Sequence, residues 1–226
     1  MKKIYLVFLF TCSLMFSQQG KIFIETNFNT FSHSNLSSFS QEFKNDLSEI
    51  PLKLQDDFSA NIGFTIGYTI IESDLSIFAS YNATGGKLSY SDYSGVIRLE
   101  QPLNAISLGG MYLVDLDEFN TFKLGFKGFA MYSSLEVNSY SKIGNNVNQD
   151  SLSFNSFDLG VGASLIYEYP ISFFYLRANV GFDLVFGNKL IFSQNNEAHL
   201  INNSNEDVKT GWSGFRSGLG IEIPID

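Results

Sequence analysis

Two histidines have the clearest potential for catalysis or metal binding in this chain of 226 residues. His33 has Ser32 and Ser34 beside it, and a serine, a histidine and an acid brought together there would suit a lipid-modifying or proteolytic enzyme. His199 lies in a distant asparagine-rich stretch. A zinc site needs three or four ligands at suitable spacing, and neither histidine has such neighbours. We therefore expect no bound metal, no cofactor and no enzyme, with a catalytic group at His33 as a minor alternative.

Nine charged residues form a second set with a shared position in the sequence. Each occurs in a segment where apolar residues take every second position, and each falls between those apolar residues. Successive side chains of a strand point to opposite faces, so the nine charges lie on the face opposite the apolar one. Four bases and five acids there predict a buried network of ion pairs, because an unpaired buried charge is costly. The members are Glu25, Lys123, Lys127, Asp158, Glu168, Arg177, Asp183, Arg216 and Glu222.

The elements that must position these charges are eight alternating segments, and the clearest runs from Phe58 to Ile71. A strand crosses a bilayer with roughly 9–11 residues, and the segments are long enough to do so. No internal run reaches the 18 or so apolar residues of a membrane helix. We predict an all-β fold, an eight-stranded antiparallel up-and-down transmembrane β-barrel. Its strands are expected at about 20–32, 58–71, 74–83, 105–114, 122–132, 157–168, 174–186 and 215–225.

The connections between these segments alternate between long and short. Short turns are expected at 72–74, 115–119 and 169–172. The long connections are 33–57 with a short helix from Ser40 to Leu54, a break or bulge at Gly85 and Gly86 before a hairpin at 87–100, and polar loops at 138–150 and 188–209. Short periplasmic turns opposite longer external loops are typical of outer-membrane barrels. Eight strands enclose only enough space for side chains, so we expect no open channel.

Aromatic side chains recur near the ends of the apolar face. Two belts of such residues are typical of the membrane interfaces of a barrel. The belt near the short turns contains Phe64, Tyr68, Tyr112, Phe122, Tyr167 and Phe174. The belt toward the long loops contains Phe58, Tyr132, Phe186 and Phe215. The apolar face therefore predicts contact with outer-membrane lipid.

Bulk composition agrees with a membrane barrel. Charged residues make up 16% of the chain and aromatic residues 15%, against roughly 25% charged residues in typical soluble domains. With a formal net charge of −9 the chain offers no basic face to nucleic acid, so we expect no nucleic-acid partner. A soluble lipocalin-like ligand binder is a further alternative, but its apolar face would have to line the interior.

The first residues indicate export. Met1 to Ser17 contains Lys2 and Lys3, an apolar stretch and small residues before Gln18, which predicts a secretory signal peptide at 1–17 and a barrel at 18–226. Cys12 is the only cysteine and lies inside this segment. The exported chain is therefore expected to contain no disulfide and no cysteine metal site. In a predicted external loop, Asp150-Ser151-Leu152 resembles an O-glycosylation acceptor of Bacteroidota, with Ser151 as the acceptor.

Three blocks of sequence resemble the PorT-like outer-membrane β-barrel family of Bacteroidota. They are the stretch from Ala60 to Tyr68, the stretch from Leu103 to Tyr112 and the stretch from Gly218 to Pro224. The resemblance spans the exported chain as a pattern without a catalytic motif. It implies a small barrel, and some members of that family are structural or accessory subunits of secretion or other envelope machinery.

These observations lead to a functional expectation. We expect a non-enzymatic outer-membrane barrel that serves as an accessory or structural subunit of a larger envelope complex and contacts protein partners through its external loops and its wall. One alternative is a stand-alone surface adhesin or defence barrel, with Leu36–Asp57 and Asn188–Lys209 as its contact surface. The other is a lipid-modifying enzyme at the rim near His33.

Overall fold

Eleven strands and one α-helix make up the computed structural model, which describes residues 19–59 and 61–225. The helix α1 spans Ser34–Asp46. The strands are β1 (Gly20–Phe31), β2 (Lys53–Asp57), β3 (Asn61–Ile70), β4 (Leu75–Ser91), β5 (Gly95–Asp115), β6 (Phe122–Ile143), β7 (Asn146–Ile171), β8 (Phe174–Phe186), β9 (Ile191–Phe192), β10 (Asn195–His199) and β11 (Gly214–Ile225). The predicted signal segment 1–17 lies outside the described residues.

Eight of these strands close into a ring. The order around it is β1, β3, β4, β5, β6, β7, β8 and β11, and every neighbouring pair is antiparallel. The ring closes where β1 pairs with β11 along its whole length, from Gly20 opposite Ile225 to Phe31 opposite Gly214. The predicted eight-stranded antiparallel barrel is therefore confirmed.

The outer wall of the ring is apolar and its inner face is polar. Along β1, Ile24 and Phe28 are about half exposed on the outside, whereas Glu25, Asn27 and Asn29 are buried inside. Apolar side chains are favourable on this wall if lipid surrounds them, because apolar surface is unfavourable in water. The charged side chains would be costly against lipid, and they lie on the inner face. The barrel is thus an integral outer-membrane protein, the reverse of a soluble ligand-binding barrel. Among the described residues, no helix has the length and apolar character to span a bilayer.

Two hairpins extend well past the ring at the long-loop end. β4 continues from Thr84 to Ser91 after its last pairing with β3, and β5 follows it across three residues. β6 and β7 likewise continue to a two-residue turn at Gly144 and Asn145, where Gly144 has a φ of 59°. The prediction of a polar loop at 138–150 is therefore wrong: the segment is a paired hairpin, because a tight turn with a left-handed glycine lets the strands pair to their ends.

The prediction of a break at Gly85 and Gly86 is also wrong, because β4 runs through both residues. A Cβ on Gly86 would meet the ring of Phe58 at 2.6 Å. Phe58 itself was assigned to the aromatic girdle, and that assignment is wrong as well: its side chain is 2% exposed and points inward. Its φ of 55° turns the chain before β3 and directs the ring into the barrel over Gly86. The glycine gives room to an aromatic ring.

The segment after β1 contains more structure than expected. The predicted helix from Ser40 to Leu54 is misplaced, since α1 spans Ser34–Asp46 and 53–57 form β2 beside β4. Leu36, Phe39 and Phe43 recur at helical spacing, which gives α1 an apolar face. Pro51 interrupts the predicted span, because proline cannot continue a helix interior.

The predicted loop at 188–209 is also folded in part. β9 and β10 pair with each other, and β9 adds to β7 at Phe154 and Asn155. Leu190 and Val208 from this segment are buried in the barrel mouth. The three connections at the opposite end are short: a 3₁₀ turn at Ile71–Ser73, residues 116–121, and residues 172–173.

Candidate functional site

Arg177 is the centre of a charge cluster in the lower half of the lumen, toward the short turns. Its Nε donates to Glu25 Oε1 at 2.6 Å and its Nη1 donates to Glu168 Oε1 at 2.8 Å. Glu222 Oε1 lies 3.6 Å from Nη1. The guanidinium also lies over the ring of Phe23, 4.4 Å from its centroid. One arginine, 1% exposed, thus holds three carboxylates from three different strands.

Two lysines complete this cluster. Lys123 Nζ lies 3.3 Å from Glu168 and 3.9 Å from Asp115. Lys21 Nζ lies 3.2 Å from Glu168 and 3.6 Å from Glu222. Lys21 is a member that the sequence reasoning missed, although it lies on the same face of β1 as Glu25 and that spacing was a usable signal.

Three further charges meet higher in the lumen. Lys127 Nζ lies 2.8 Å from Asp183 Oδ1, and Arg216 Nε donates to Asp183 Oδ2 at 3.1 Å. Gly162 faces this triad, and a Cβ there would meet Asp183 and, at 2.7 Å, the Cε atom of Lys127. A cavity of about 30 Å³ remains between the triad and the Arg177 cluster. That volume holds only one or two water molecules, so the clusters fill this part of the lumen.

Asp158 is placed apart from the other eight predicted lumen charges. Its carboxylate accepts hydrogen bonds from Ser156 Oγ at 2.6 Å, the Asn188 N–H at 2.7 Å and Thr210 Oγ1 at 3.1 Å. Two of these donors come from the segment between β8 and β11. Asp158 therefore fastens that segment to β7.

An apolar plug closes the upper half of the lumen, and sequence reasoning did not find it. Trp212 and Leu36 are fully buried in this plug. Its other buried members are Phe31, Phe58, Leu103, Ala105, Phe129, Met131, Leu135, Phe154, Leu190 and Val208. Trp212 Nε1 donates to Ser133 Oγ at 3.0 Å, so its one polar atom is satisfied. Ser40 on α1 donates to Gln101 Oε1 at 2.7 Å. The helix thus caps the plug from above.

His33 lies inside this plug and not at an open rim. It is 4% exposed, its Nδ1 contacts the Thr210 carbonyl at 2.5 Å, and its Nε2 lies 3.1 Å from Asn61 Oδ1. Its ring meets that of Trp212 edge-on with centroids 4.8 Å apart. Burial lowers the pKa of His33 below its ordinary value, against the opposing effect of these two hydrogen bonds. Both ring nitrogens are therefore engaged with structural partners.

His199 lies elsewhere, with Nε2 3.0 Å from Asp207 Oδ1. The described residues contain no cluster of three or more histidine, cysteine or acidic side chains suited to a metal ion. The structure therefore does not bring the two histidines together.

The predicted girdle residues other than Phe58 lie on the outer wall or at its margin. Phe64, Tyr112, Phe122, Tyr132 and Phe186 are exposed there, as is Phe215. Tyr68, Tyr167 and Phe174 are partly covered. Neighbouring strands pair some of these rings, with Phe122 and Tyr167 centroids 4.9 Å apart and Phe64 and Tyr81 centroids 5.5 Å apart.

The two long hairpins and the strands added to them form an outer extension, defined here as β2, β9, β10 and residues 84–104 and 133–156. At the β4–β5 tip, Asp92 accepts hydrogen bonds from Ser94 and Tyr90, which lowers its pKa to about 2. Apolar side chains are exposed at the tips, among them Tyr93, Ile143 and Val147. Ser151 is exposed on β7 and donates to Asn138 Oδ1 at 2.7 Å; its glycosylation stays a prediction.

Comparison with known proteins gives a likeness of fold. No protein-family model matches the chain, and no curated protein matches it. Among solved structures, a major outer membrane protein from Thermus thermophilus aligns with a TM-score of 0.52 at 11% identity, over 91% of this chain and 99% of that one. Neisserial surface protein A aligns with a TM-score of 0.41 at 12% identity over 90% and 96% of the two chains. Ail, the attachment invasion locus protein of Yersinia pestis, aligns at 0.40 and 13% identity over 92% and 99%.

At these identities the comparisons concern the fold alone. The Thermus protein shares the overall arrangement over nearly its whole length. The chain has the fold of an outer-membrane β-barrel with a filled lumen, a capped mouth and an ordered outer extension.

Proposed function

We propose that this protein is a non-enzymatic outer-membrane barrel that acts by protein contact through its outer extension, as an accessory subunit of a larger envelope complex. The observation that carries the proposal is the extension itself. β4 to β7 continue past the ring as ordered, paired strands and expose Tyr93, Ile143 and Val147 at their tips. Apolar side chains held out beyond a membrane by rigid strands are a feature of binding surfaces.

The state of the lumen supports the same proposal. Ion pairs fill its lower half and the plug fills its upper half. The cavity between the two charge clusters measures only about 30 Å³, so transport through the barrel gains no support. The rim-enzyme alternative loses its candidate base, since His33 is buried and both of its nitrogens have partners.

A purification from native outer membranes tests the proposal. Tagged wild-type protein is extracted in mild detergent, and the chains that accompany it are identified by mass spectrometry. The same is done for a tip variant with Tyr93→Ser and Ile143→Ser, and for a control variant with Phe119→Ser, which alters an equally exposed ring at the opposite end. We expect partners in stoichiometric amount with the wild type and the control and their loss with the tip variant.

Two results would contradict the proposal. If the barrel purifies alone, it is not a subunit of a complex. If partners remain bound to the tip variant, the contact lies on the wall or at the short turns and not at the tips. A barrel that purifies alone but attaches to an external surface would favour the second candidate, a stand-alone adhesin. The observation that favours this candidate is that each of the two hairpins of the extension pairs within itself up to its tip. Adhesion of intact cells with and without the tip variant would test it.

A further inference from the structure

One edge of the outer extension is an unpaired strand. From Asn146 to Leu152, β7 pairs with β6 on one side, and each of these residues is exposed. On its other side no described strand pairs with these residues. β9 first joins β7 at Phe154 and Asn155, and β8 joins only from Leu159. This leaves a row of backbone donors and acceptors open at the cell surface.

The direction of the open groups follows from two hydrogen bonds. The Ser153 carbonyl accepts from the Ser193 N–H at 2.9 Å, on the side away from β6. The Asp150 carbonyl is approached from the β6 side by Ser139 Oγ, at 3.5 Å. Backbone groups of alternate residues in a strand point the same way. The N–H and C=O groups of Val147, Gln149 and Ser151 therefore point to the open side.

This edge has little of the usual protection against an added strand. Edge strands are commonly blunted by proline, a bulge or charged side chains, especially lysine, but the segment 146–153 contains no proline and no basic residue, and Asp150 is its one charged residue. Its register with β6 is continuous from Asn146 to Ser153. β2 and β10, in contrast, each have an irregular register. The open part of β7 is thus a regular template.

The chain already uses the base of this edge in the same way. β9 pairs there, and Ser193 adds side-chain contacts to Asn155 at 2.8 Å and Ser153 at 3.2 Å. Addition of a strand further along β7 would continue this interface outward. The N–H of Ser151 is at present bonded to the Asp150 carboxylate at 2.9 Å, in the place that a carbonyl of an added strand would take.

Charge indicates the kind of segment that fits. The residues at the long-loop end (32–60, 84–104, 133–156 and 187–213) contain twelve acids against seven bases. Asp150 places a carboxylate directly at the edge. A cavity of about 150 Å³ lies on the inner side of the hairpin, lined by Asn148 and Asp150 together with Phe43, Ile97 and Leu99. It offers an apolar wall to a side chain of an added strand.

We propose that the edge Asn146–Leu152 is a strand-addition site for an extended, positively charged polypeptide segment of a partner protein. In this mode backbone hydrogen bonds give affinity and alternate side chains give specificity. The proposal rests on the proposed function, since it names the part of the extension that makes the contact.

A backbone-specific pair of variants tests it. Gln149→Pro removes an N–H that points to the open side and leaves the β6 ladder intact, because proline is tolerated at an edge position facing solvent. Gln149→Ala removes the side chain and keeps that N–H. The probe is a fluorescent peptide of alternating lysine and valine, titrated into purified full-length barrel in detergent micelles. We expect Gln149→Pro to weaken binding about tenfold and Gln149→Ala to leave it nearly unchanged.

A second probe needs no variant. The same peptide with an N-methyl group on every amide keeps its charge and side chains but has no N–H to donate to a neighbouring strand, and we expect it not to bind the wild type. Equal binding of both peptides, equal binding to the proline and alanine variants, or no saturable binding to the wild type would each overturn the proposal. If native partners are lost with the tip variant and retained with Gln149→Pro, the strand-addition site fails and the proposed function stands.

Discussion

At the scale of single residues, Arg177 has the largest electrostatic role in the barrel. Three buried carboxylates depend on its guanidinium, and two of them accept hydrogen bonds from it at 2.6 and 2.8 Å. Removal of Arg177 leaves Glu25 without its ion-pair partner, although Lys21 and Lys123 still reach the other two carboxylates. A buried charge without compensation costs more than the intact cluster contributes. The arginine is therefore a requirement for a stable lumen.

The prediction is that Arg177→Met destabilises the barrel by about 3–5 kcal/mol. Urea unfolding in detergent, followed by circular dichroism, measures the change in unfolding free energy. Lys87→Met serves as the control, since Lys87 forms an exposed pair with Glu100 at 3.0 Å and such pairs contribute about 0–1 kcal/mol. Similar losses for the two variants would contradict the role assigned to Arg177.

His33 gives the plug a pH dependence. Its pKa is lowered by burial from an ordinary value of 6.5, so between the lowered value and 6.5 the unfolded chain binds more protons than the folded one. Stability contributed by neutral His33 is then complete above about pH 6.5 and is lost as the pH falls below it. We expect His33→Gln to have a flatter dependence of unfolding free energy on pH over this range. A parallel dependence in wild type and variant would exclude His33 as its source.

The alternation of residue types identifies which charges share a face, but not which of them meet. Arg177 and Glu25 were assigned to one face from their neighbours, whereas their contact depends on the register across β1, β11 and β8. The plug was not predictable by periodicity. Leu36, Leu190 and Trp212 come from connecting segments, and their burial depends on how those segments fold back into the mouth. Phe58 shared the alternation of β3 and still turned inward, because its left-handed backbone lies just before the strand.

At the scale of elements, α1 and the connecting segments bring Leu36, Leu190, Val208 and Trp212 into the plug, where they pack against side chains of the ring strands. Trp212 is the only tryptophan of the chain and is fully buried, so its fluorescence reports on the plug alone. Leu36 from α1 packs in the same cluster. The helix and the ring of strands can thus be followed by separate signals.

We expect Leu36→Ala to destabilise the plug by about 2–5 kcal/mol. Trp212 emission should shift to the red at lower urea concentration than in the wild type, while the circular dichroism of the strands changes less. Leu219→Ala is the control, because Leu219 is exposed on the outer wall and should leave the tryptophan signal unchanged. A red shift that always coincides with strand unfolding would show that plug and ring unfold together.

At the scale of the whole molecule, the structure separates a membrane barrel from a pore. The Arg177 cluster, the Asp183 triad and the plug follow one another along the axis and leave a cavity of only about 30 Å³ between the two clusters. The wall meets lipid, and the extension projects from β4 to β7, on one part of the ring only. The long-loop end is therefore asymmetric: β4 to β7 extend far beyond the ring, whereas β1, β3, β8 and β11 do not.

This filled lumen predicts that purified protein in a planar bilayer gives no conductance above background. The reason is that ions would have to displace paired charges and then the apolar plug. A large general porin prepared in the same detergent provides the positive control. Discrete, reproducible conductance steps from the wild-type protein would contradict the description of the lumen as closed.

The seam between β1 and β11 has a consequence for the order of folding. It joins the two ends of the described chain, so its pairing closes the longest loop in the protein and is costly in chain entropy. His33 lies two residues after the end of β1, and Trp212 lies two residues before the start of β11. The Ser32 N–H donates to the Ser213 carbonyl beside the seam. The contact between His33 and Trp212 can form only when these two strands are neighbours. Burial of the single tryptophan should therefore be among the last events of assembly, and the change in its fluorescence should report when the ring closes.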